Sequence, residues 1–446
     1  MRLTRTLLDK ARSLKSLALS VHFKQPELGM KEYEILSRAT AYLVAVDPPS
    51  EDDDDESGPY SHLKRSEKQR EERLFQNLHK YSQPTGPGRQ IMDLGWLEFV
   101  PREVRPQVHI VASSHVLAPY LWQDYYPQEW LKRVRAEHCT YSLEVFDPNK
   151  PQEALAKLAL NRDVFHHPEG RDIALIHLQE EHSSLKLLRR LGVAMHRLRD
   201  PDKLYQKGED LLFDGFVVSE RNVADSESFR AAASKQNNNH NEDTRVFYPY
   251  TEQGKLAFHT NDRFFATTPE PLPEGLCGAP VLDQDGELCG TVEGIVPVTH
   301  KDQRLAGSAA FLPSYIVQSF IDYVERGLLQ QIMPKDLFDL VVTAKKTNSI
   351  GGGFFKKDKD GKYTGLTDVE EAYDSALDTL QKRYTPEEYQ AISKTIEDER
   401  KEVLEIMDKE GGELDEIIAR VRAKTLQIRE MVMDQYQKGK IKFPSK

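Results

Sequence analysis

The chain has 446 residues, 39% hydrophobic and 30% charged; at roughly 150 residues per domain this predicts two or three domains, each able to bury a core. No run approaches the ~18–20 consecutive apolar residues of a membrane-spanning helix, and a formal charge of -11, from 61 Lys+Arg against 72 Asp+Glu, argues against a general nucleic-acid binder. Cys139, Cys277 and Cys289 are an odd, sparse set, which speaks against a disulfide-built secreted domain and for a reducing intracellular compartment.

Residues 1–35 open with Arg2, Arg5, Lys10, Arg12 and Lys15 against the single acid Asp9 among the first twenty-one residues. Leu3, Leu7, Ala11, Leu14, Ala18 and Val21 share one side of a helical wheel, with most of the basic residues opposite. A basic, acid-poor amphipathic start has the composition of a mitochondrial presequence, and equally suits a surface helix packed on the domain.

A body over 36–330 follows. Ala39 to Val46 reads as a buried strand, and an acidic insertion over 47–90 (DPPSEDDDDESGP, then KRSEKQREERLFQ) reads as a solvated segment with helical charge pairing. GWLEFV (95–100) and VHIVAS (108–113) resume the strand pattern. Short apolar runs with frequent Pro and Gly then continue to about Gly327, interrupted by the polar surface loop KQNNNHNEDT, which is the texture of an all-β body. A Lys- and Gly-rich linker is expected over 331–365. DKDG within it fails as a calcium loop, because Lys356 and Thr367 fall where acidic ligands belong. An α-helical region over 366–446 is expected from two helix starts, Thr367 with Glu370 and Thr385-Pro386 with Glu388. After the Gly411-Gly412 break, Leu414, Ile417, Ile418, Val421, Ile428 and Val432 form a stripe suited to packing within the protein or against a partner helix.

Three segments carry chemistry, in a fixed order: IVASSHVL with His115 just after a strand, GRDIALIHL with Asp172 at the mouth of another, and EGLCGAPVLDQDGELCGTVEG with Cys277 in a Gly-x-Cys-Gly-x-Pro loop before an Asp285-Gly286 hairpin turn. Such a set can form a nucleophilic centre, in which a thiolate attacks a carbonyl, an imidazole shuttles the proton and a carboxylate fixes the imidazole tautomer. The glycines let two backbone N–H groups, those of Gly275 and Cys277, converge on one oxyanion.

The order His, Asp, nucleophile, with ASSH, DIAL and G-x-C-G-x-P, resembles the trypsin/chymotrypsin fold and most closely its HtrA-type branch, which shares the short D-G hairpin after the nucleophile. The likeness runs from about Ala39 to Gly327 and includes GSAAFLPSYIVQSFIDYVERG, similar to that branch's closing strand and following helix. It implies an all-β double six-stranded β-barrel with the site in the crevice between barrels. His115 would be the general base, Asp172 its orienting acid, Cys277 the nucleophile, and Gly275 with Cys277 the oxyanion hole. No metal or organic cofactor is implied.

The chain also departs from that pattern. Cysteine replaces serine at the nucleophile, as in picornavirus-type cysteine proteases of the same fold. Leu276 replaces the aspartate that locks the new N-terminus of secreted trypsins, Ala279 stands for a frequent glycine, and Glu293 sits where the substrate-binding strand has a small residue. The segment TTPEPLPEG, expected to line the pocket before the scissile bond, offers no charged base and favours small or uncharged side chains.

The expectation is an intracellular, mitochondrial or cytoplasmic cysteine endopeptidase acting on a protein or peptide through a thioester acyl-enzyme. A catalytically inactive protease-fold scaffold that binds partners through its helical C-terminus is the alternative, and the same centre suits an esterase. Other residues read as structural: His138-Cys139 and Cys289 as packing, His166-His167 as a surface pair near Asp172.

Overall fold

A computed structural model describes residues 16–46, most of 96–366 (221–244 is the longest stretch outside it), scattered positions between 377 and 401, and 414–442. The acidic insertion, the polar loop ending at Thr244, the Thr367–Glu370 helix start and the Gly411-Gly412 break lie outside the described residues.

The first half of the body is a sheet of β1 (Ser16–Phe23), β2 (Glu34–Ala45), β3 (Val108–Ala112), β4 (Cys139–Asp147), β5 (Lys150–Ala159), β6 (Phe165–His166), β7 (Ala174–Ile176) and β8 (Met195–His196), with a helical turn α1 (Ser114–Leu117) after β3 and helix α2 (Glu181–Arg190) before β8. Its eight strands run in the order β5-β4-β1-β2-β3-β7-β6, with β8 parallel to β2. The sheet curls back on itself: Leu160, just past β5, bridges Leu178, just past β7, and Asn161 N–H donates to the His177 carbonyl at 2.8 Å.

The central strands are buried on both faces, and their alternation feeds two cores. Ala41 and Leu43 of β2 and Ile110 and Ala112 of β3 fill the interior of the sheet with Leu19, Leu143 and Ile176. Tyr42, Val44 and Val111 point the other way, into a core shared with the second half of the chain. Each such leucine or isoleucine stabilises by roughly 1.5–3 kcal/mol relative to exposure.

That second half is a closed, wholly antiparallel barrel of six strands, β9 (Asp210–Glu220), β10 (Arg245–His259), β11 (Phe264–Thr267), β12 (Pro280–Leu282), β13 (Leu288–Ile295) and β14 (Ala309–Pro313), in the order β10-β11-β14-β13-β12-β9. Phe213, Leu256, Phe264, Val281 and Phe311 fill it. The β12–β13 connection is the expected Asp285-Gly286 turn, held by Asp283 Oδ1 accepting the N–H groups of Asp285 and Glu287 at 2.9 Å each. The body is therefore mostly β, with one closed barrel compatible with a trypsin-like fold and a second, curled sheet.

Helix α3 (Ser314–Ile332) follows β14 directly and seals the core between sheet and barrel with Val317, Phe320 and Val324. Helix α4 (Lys335–Gly353), a small hairpin of β15 (Phe355–Lys357) and β16 (Tyr363–Leu366), and helix α5 (Leu414–Gln437) come after it.

Three sequence expectations are corrected. Residues 16–23 belong to β1, paired with β2 and β4, and not to the amphipathic helix expected over the first twenty-one residues. Leu17, Leu19 and Val21 fit a period of two as well as one of 3.6, and long-range pairing decides between them. GWLEFV is a 3-10 turn over Trp96–Phe99 and not a strand: Trp96, Leu97, Phe99 and Val100 are all buried, with Arg105 Nη1 donating to the Leu97 carbonyl at 2.6 Å. The expected linker 331–365 instead contains α4, because Leu337, Phe338, Val341 and Ala344 make a helical stripe that packs on Trp96 and on Ile428 and Val432 of α5. Those α5 residues are thus spent within the protein. Among the described residues, no helix is long and apolar enough to cross a membrane.

Candidate active site

The register of β3 against β7 builds the first half of the site. Ala112 lies opposite Ala174, so the residues leaving β3 meet those entering β7. His115 in α1 and Asp172 meet there, both buried. The Asp172 carboxylate accepts the His115 backbone N–H at 2.8 Å (Oδ1) and His115 Nδ1–H at 2.6 Å (Oδ2). A carboxylate only accepts, so the proton sits on Nδ1 and the other ring nitrogen is left to act.

The sequence reading missed Ser113. Its hydroxyl lies 2.9 and 3.0 Å from the two Asp172 oxygens and 2.8 Å from His115 Nδ1, a third support for the carboxylate. The signal was present in ASSH, a polar residue next to the histidine at the end of an apolar strand. The neighbouring Ser114 hydroxyl joins His166 Nδ1 at 2.7 Å and accepts Trp122 Nε1–H at 3.3 Å. His166 is therefore part of the scaffold beneath the site, and His167, 5.1 Å from the Phe320 ring, packs on α3. The expectation of a surface pair is corrected on both counts.

Cys277 arrives from the barrel side, in the turn between β11 and β12. Gly275 (φ 103°) and Gly278 (φ 82°) flank it in backbone conformations that residues with a Cβ resist. A Cβ on Gly278 would stand 2.6 Å from the Ser113 nitrogen and 2.8 Å from the Thr40 carbonyl oxygen, so this glycine lets the nucleophile turn touch the end of β3. Gly278 N–H donates to the Val292 carbonyl, Val292 N–H to that of Ala279, and Ala279 N–H to that of Leu276. The N–H groups of Gly275 and Cys277 have no backbone acceptor among the described residues.

The structure thus brings His115, Asp172, Cys277 and Gly275 together. Burial lowers the His115 pKa, but hydrogen bonds to Asp172 and to the Cys277 thiol, with the charge of both, outweigh it and raise it to about 10. Cys277 is half-buried, whereas Cys139 and Cys289 are buried and their thiol pKa values are pushed up to about 12, chiefly by burial.

Glu293, the odd residue on β13, is the extra residue of a bulge between Val292 and Gly294. It forms a two-pronged ion pair with Arg263, whose Nη2 lies 2.7 Å from Oε1. Next along that turn, Asp262 pairs with Arg171 at 2.9 Å, so a charged rim joins the Asp172 loop to the barrel. Tyr125 stacks on the His115 ring, centroids 5.0 Å apart and planes at 16°.

A metal has one place to consider among the described residues, Glu209, Asp283 and Cys289, whose ligand atoms lie within 4.8 Å of one another. The Arg199 guanidinium already fills it, 3.2 Å from Cys289 Sγ, 3.8 Å from Asp283 Oδ2 and ion-paired with Glu209. A cation needs anionic donors without a resident cation, so these residues do not suit an ion.

The chain matches no protein-family model and no curated protein.

Proposed function

We propose that the chain is a cysteine endopeptidase of trypsin-like fold, hydrolysing peptide bonds through a thioester acyl-enzyme. The observation that carries this reading is the cluster of Asp172, His115 and Cys277, with the carboxylate 2.6 Å from Nδ1 and the Cys277 thiol within hydrogen-bond reach of the imidazole. In this reading His115 takes the Cys277 proton, and the thiolate adds to the scissile carbonyl. The N–H groups of Gly275 and Cys277 receive the oxyanion, each donor contributing roughly 2.7–4 kcal/mol to the transition state. The tetrahedral adduct expels the amine, which leaves with the proton from His115. Water, deprotonated by His115, then cleaves the thioester to acid and free thiol. An ester could follow the same course.

The test is the alkylation rate of each cysteine against pH, read by mass spectrometry, in wild type and His115→Ala. The reading expects Cys277 alone to react fast well below the ordinary thiol pKa of ~8.5, and to lose that advantage without His115. Equal rates at the three cysteines, or indifference to His115, would remove its chemistry.

The second reading, an inactive protease-fold scaffold, draws on the Glu293–Arg263 ion pair and on the Tyr125 ring stacked over His115. It predicts that Cys277→Ala preserves partner binding and phenotype. A mitochondrial destination remains a proposal resting on the basic residues before Ser16.

A further inference from the structure

Tyr125 is 60% exposed, yet it lies flat on the ring of the buried general base. Its loop is fixed from behind: Tyr125 N–H donates to the Trp122 carbonyl at 3.0 Å, and the Trp122 and Tyr125 rings meet edge to face at 5.7 Å. Burial first, then the charges of Asp172, Glu293 and Cys277, raise the pKa of its hydroxyl.

Strand β13 runs beside the Cys277 turn, its Val292 carbonyl accepting the Gly278 N–H at 2.9 Å. It pairs with β12 only as far as Thr291, whereas it pairs with β14 on to Ile295. Beyond Val292 its β12-side edge carries no strand among the described residues, and this open edge starts beside the Cys277 turn. An extended peptide whose carbonyl reaches Cys277 can add to that edge as a strand. Its preceding residue then approaches the His115 ring, on which Tyr125 is stacked.

We propose that Tyr125 is a specificity-determining residue: by occupying the space over His115 it restricts substrates to peptides with glycine immediately before the residue whose carbonyl is attacked. This rests on the peptidase reading. A larger side chain at that position has to displace a ring stacked on His115 and in edge contact with Trp122, whereas a glycine brings no side chain that needs the space.

Two irreversible probes test it, acetyl-Gly-Ala- and acetyl-Leu-Ala-acyloxymethyl ketone, with labelling of Cys277 read by mass spectrometry. The glycine probe should label wild type at least about tenfold faster, and Tyr125→Ala should bring the two within about twofold by accelerating the leucine probe. Tyr125→Phe keeps the ring and should keep the preference. Equal rates in wild type, a preference that survives Tyr125→Ala, or a Phe variant that behaves like Ala would each overturn the proposal. Iodoacetamide separates the two levels. If it shows no fast, His115-dependent reaction at Cys277, the peptidase reading fails and the proposal with it; if that reaction is present but the peptide probes do not discriminate, only the role of Tyr125 fails.

Discussion

The Thr40 hydroxyl on β2 donates to the Gly275 carbonyl oxygen at 3.1 Å and accepts the Phe216 N–H of β9 at 2.9 Å. One buried side chain of the curled sheet therefore fixes both the barrel wall and the turn that presents Cys277. The approach is close throughout: a Cβ on Gly215 would stand 2.5 Å from Thr40 Oγ1 and 2.8 Å from Leu276.

Thr40→Val keeps the shape and removes both hydrogen bonds. The expected loss is about 1–3 kcal/mol in denaturant-induced unfolding. The alkylation rate of Cys277 should fall as well, because the Gly275 peptide is no longer held. Thr40→Ser, which retains the hydroxyl, should recover most of both. A rate unaffected in Thr40→Val would show that the turn is set by its own hydrogen bonds.

Gly278→Ala tests the contact between nucleophile turn and strand end. The added methyl meets backbone atoms of Ser113 and Thr40 inside van der Waals distance, at a φ of 82°. Neither neighbour is a flexible side-chain end that can yield. The variant should lose about 1–3 kcal/mol of stability or more, and His115-dependent acceleration of Cys277 alkylation should disappear even in the folded fraction. Gly286→Ala is the control: its φ of 79° is similar, but nothing lies within 4 Å of the added carbon. A smaller loss there, with the Cys277 rate unchanged, separates displacement of the turn from backbone strain.

How much of this was legible in the sequence follows from how local each signal is. His115, Asp172 and Cys277 stood out because each sits at the mouth of an apolar run, and the D-G hairpin and α3 came with them. Thr40 gave no sign: one threonine in an apolar strand reveals its partners only when Gly275 and Phe216, far along the chain, come beside it. Residues 16–23 were misread for a related reason. SLALSV satisfies two periodicities, and the pairing of Leu19 with Ala39 and Leu143 that settles the matter is not local. In α4, the glycines and lysines at its end outweighed the stripe of Leu337, Phe338 and Val341 before them.

Ser113 and Asp172 should differ in consequence. Asp172→Asn can offer an amide N–H to Nδ1 and reverse the imidazole tautomer, turning an N–H toward the thiol. The Cys277 alkylation rate near neutral pH should then fall to that of His115→Ala, and any turnover by up to about 10⁴-fold. Ser113→Ala removes one donor to a carboxylate that keeps the His115 N–H and Nδ1–H. Its rate should fall by no more than about tenfold, with about 1.5–3 kcal/mol lost from stability. The reverse ranking would make Ser113, and not Asp172, the group that fixes the ring.

Stability against pH should peak near neutrality, with different groups on each flank. His115, raised to about 10, binds its proton more tightly folded than unfolded. Its contribution is complete below pH 6.5 and is lost as the pH climbs toward 10, at about 1.4 kcal/mol per pH unit for one proton. On the acid side the buried histidines act. His109 Nδ1 stands 3.0 Å from His177 Nε2, and His109 Nε2 stands 2.9 Å from Glu325 of α3. Burial lowers His109 and His196 to about 4, and burial together with the charge of His109 lowers His177 to about 3. The unfolded chain therefore takes up protons on all three from pH 6.5 downward while the folded chain resists. Stability should fall over pH 6.5 to 4, the three histidines contributing up to about 4 kcal/mol per pH unit and buried Asp214, raised to about 7, offsetting about 1.4 of it by binding its proton more tightly when folded. Urea midpoints at pH 5, 7 and 9 measure both flanks. His115→Gln should flatten only the alkaline one, and His109→Gln only the acid one. An alkaline flank unchanged in His115→Gln would mean that the imidazolium is not held by Asp172 and Cys277.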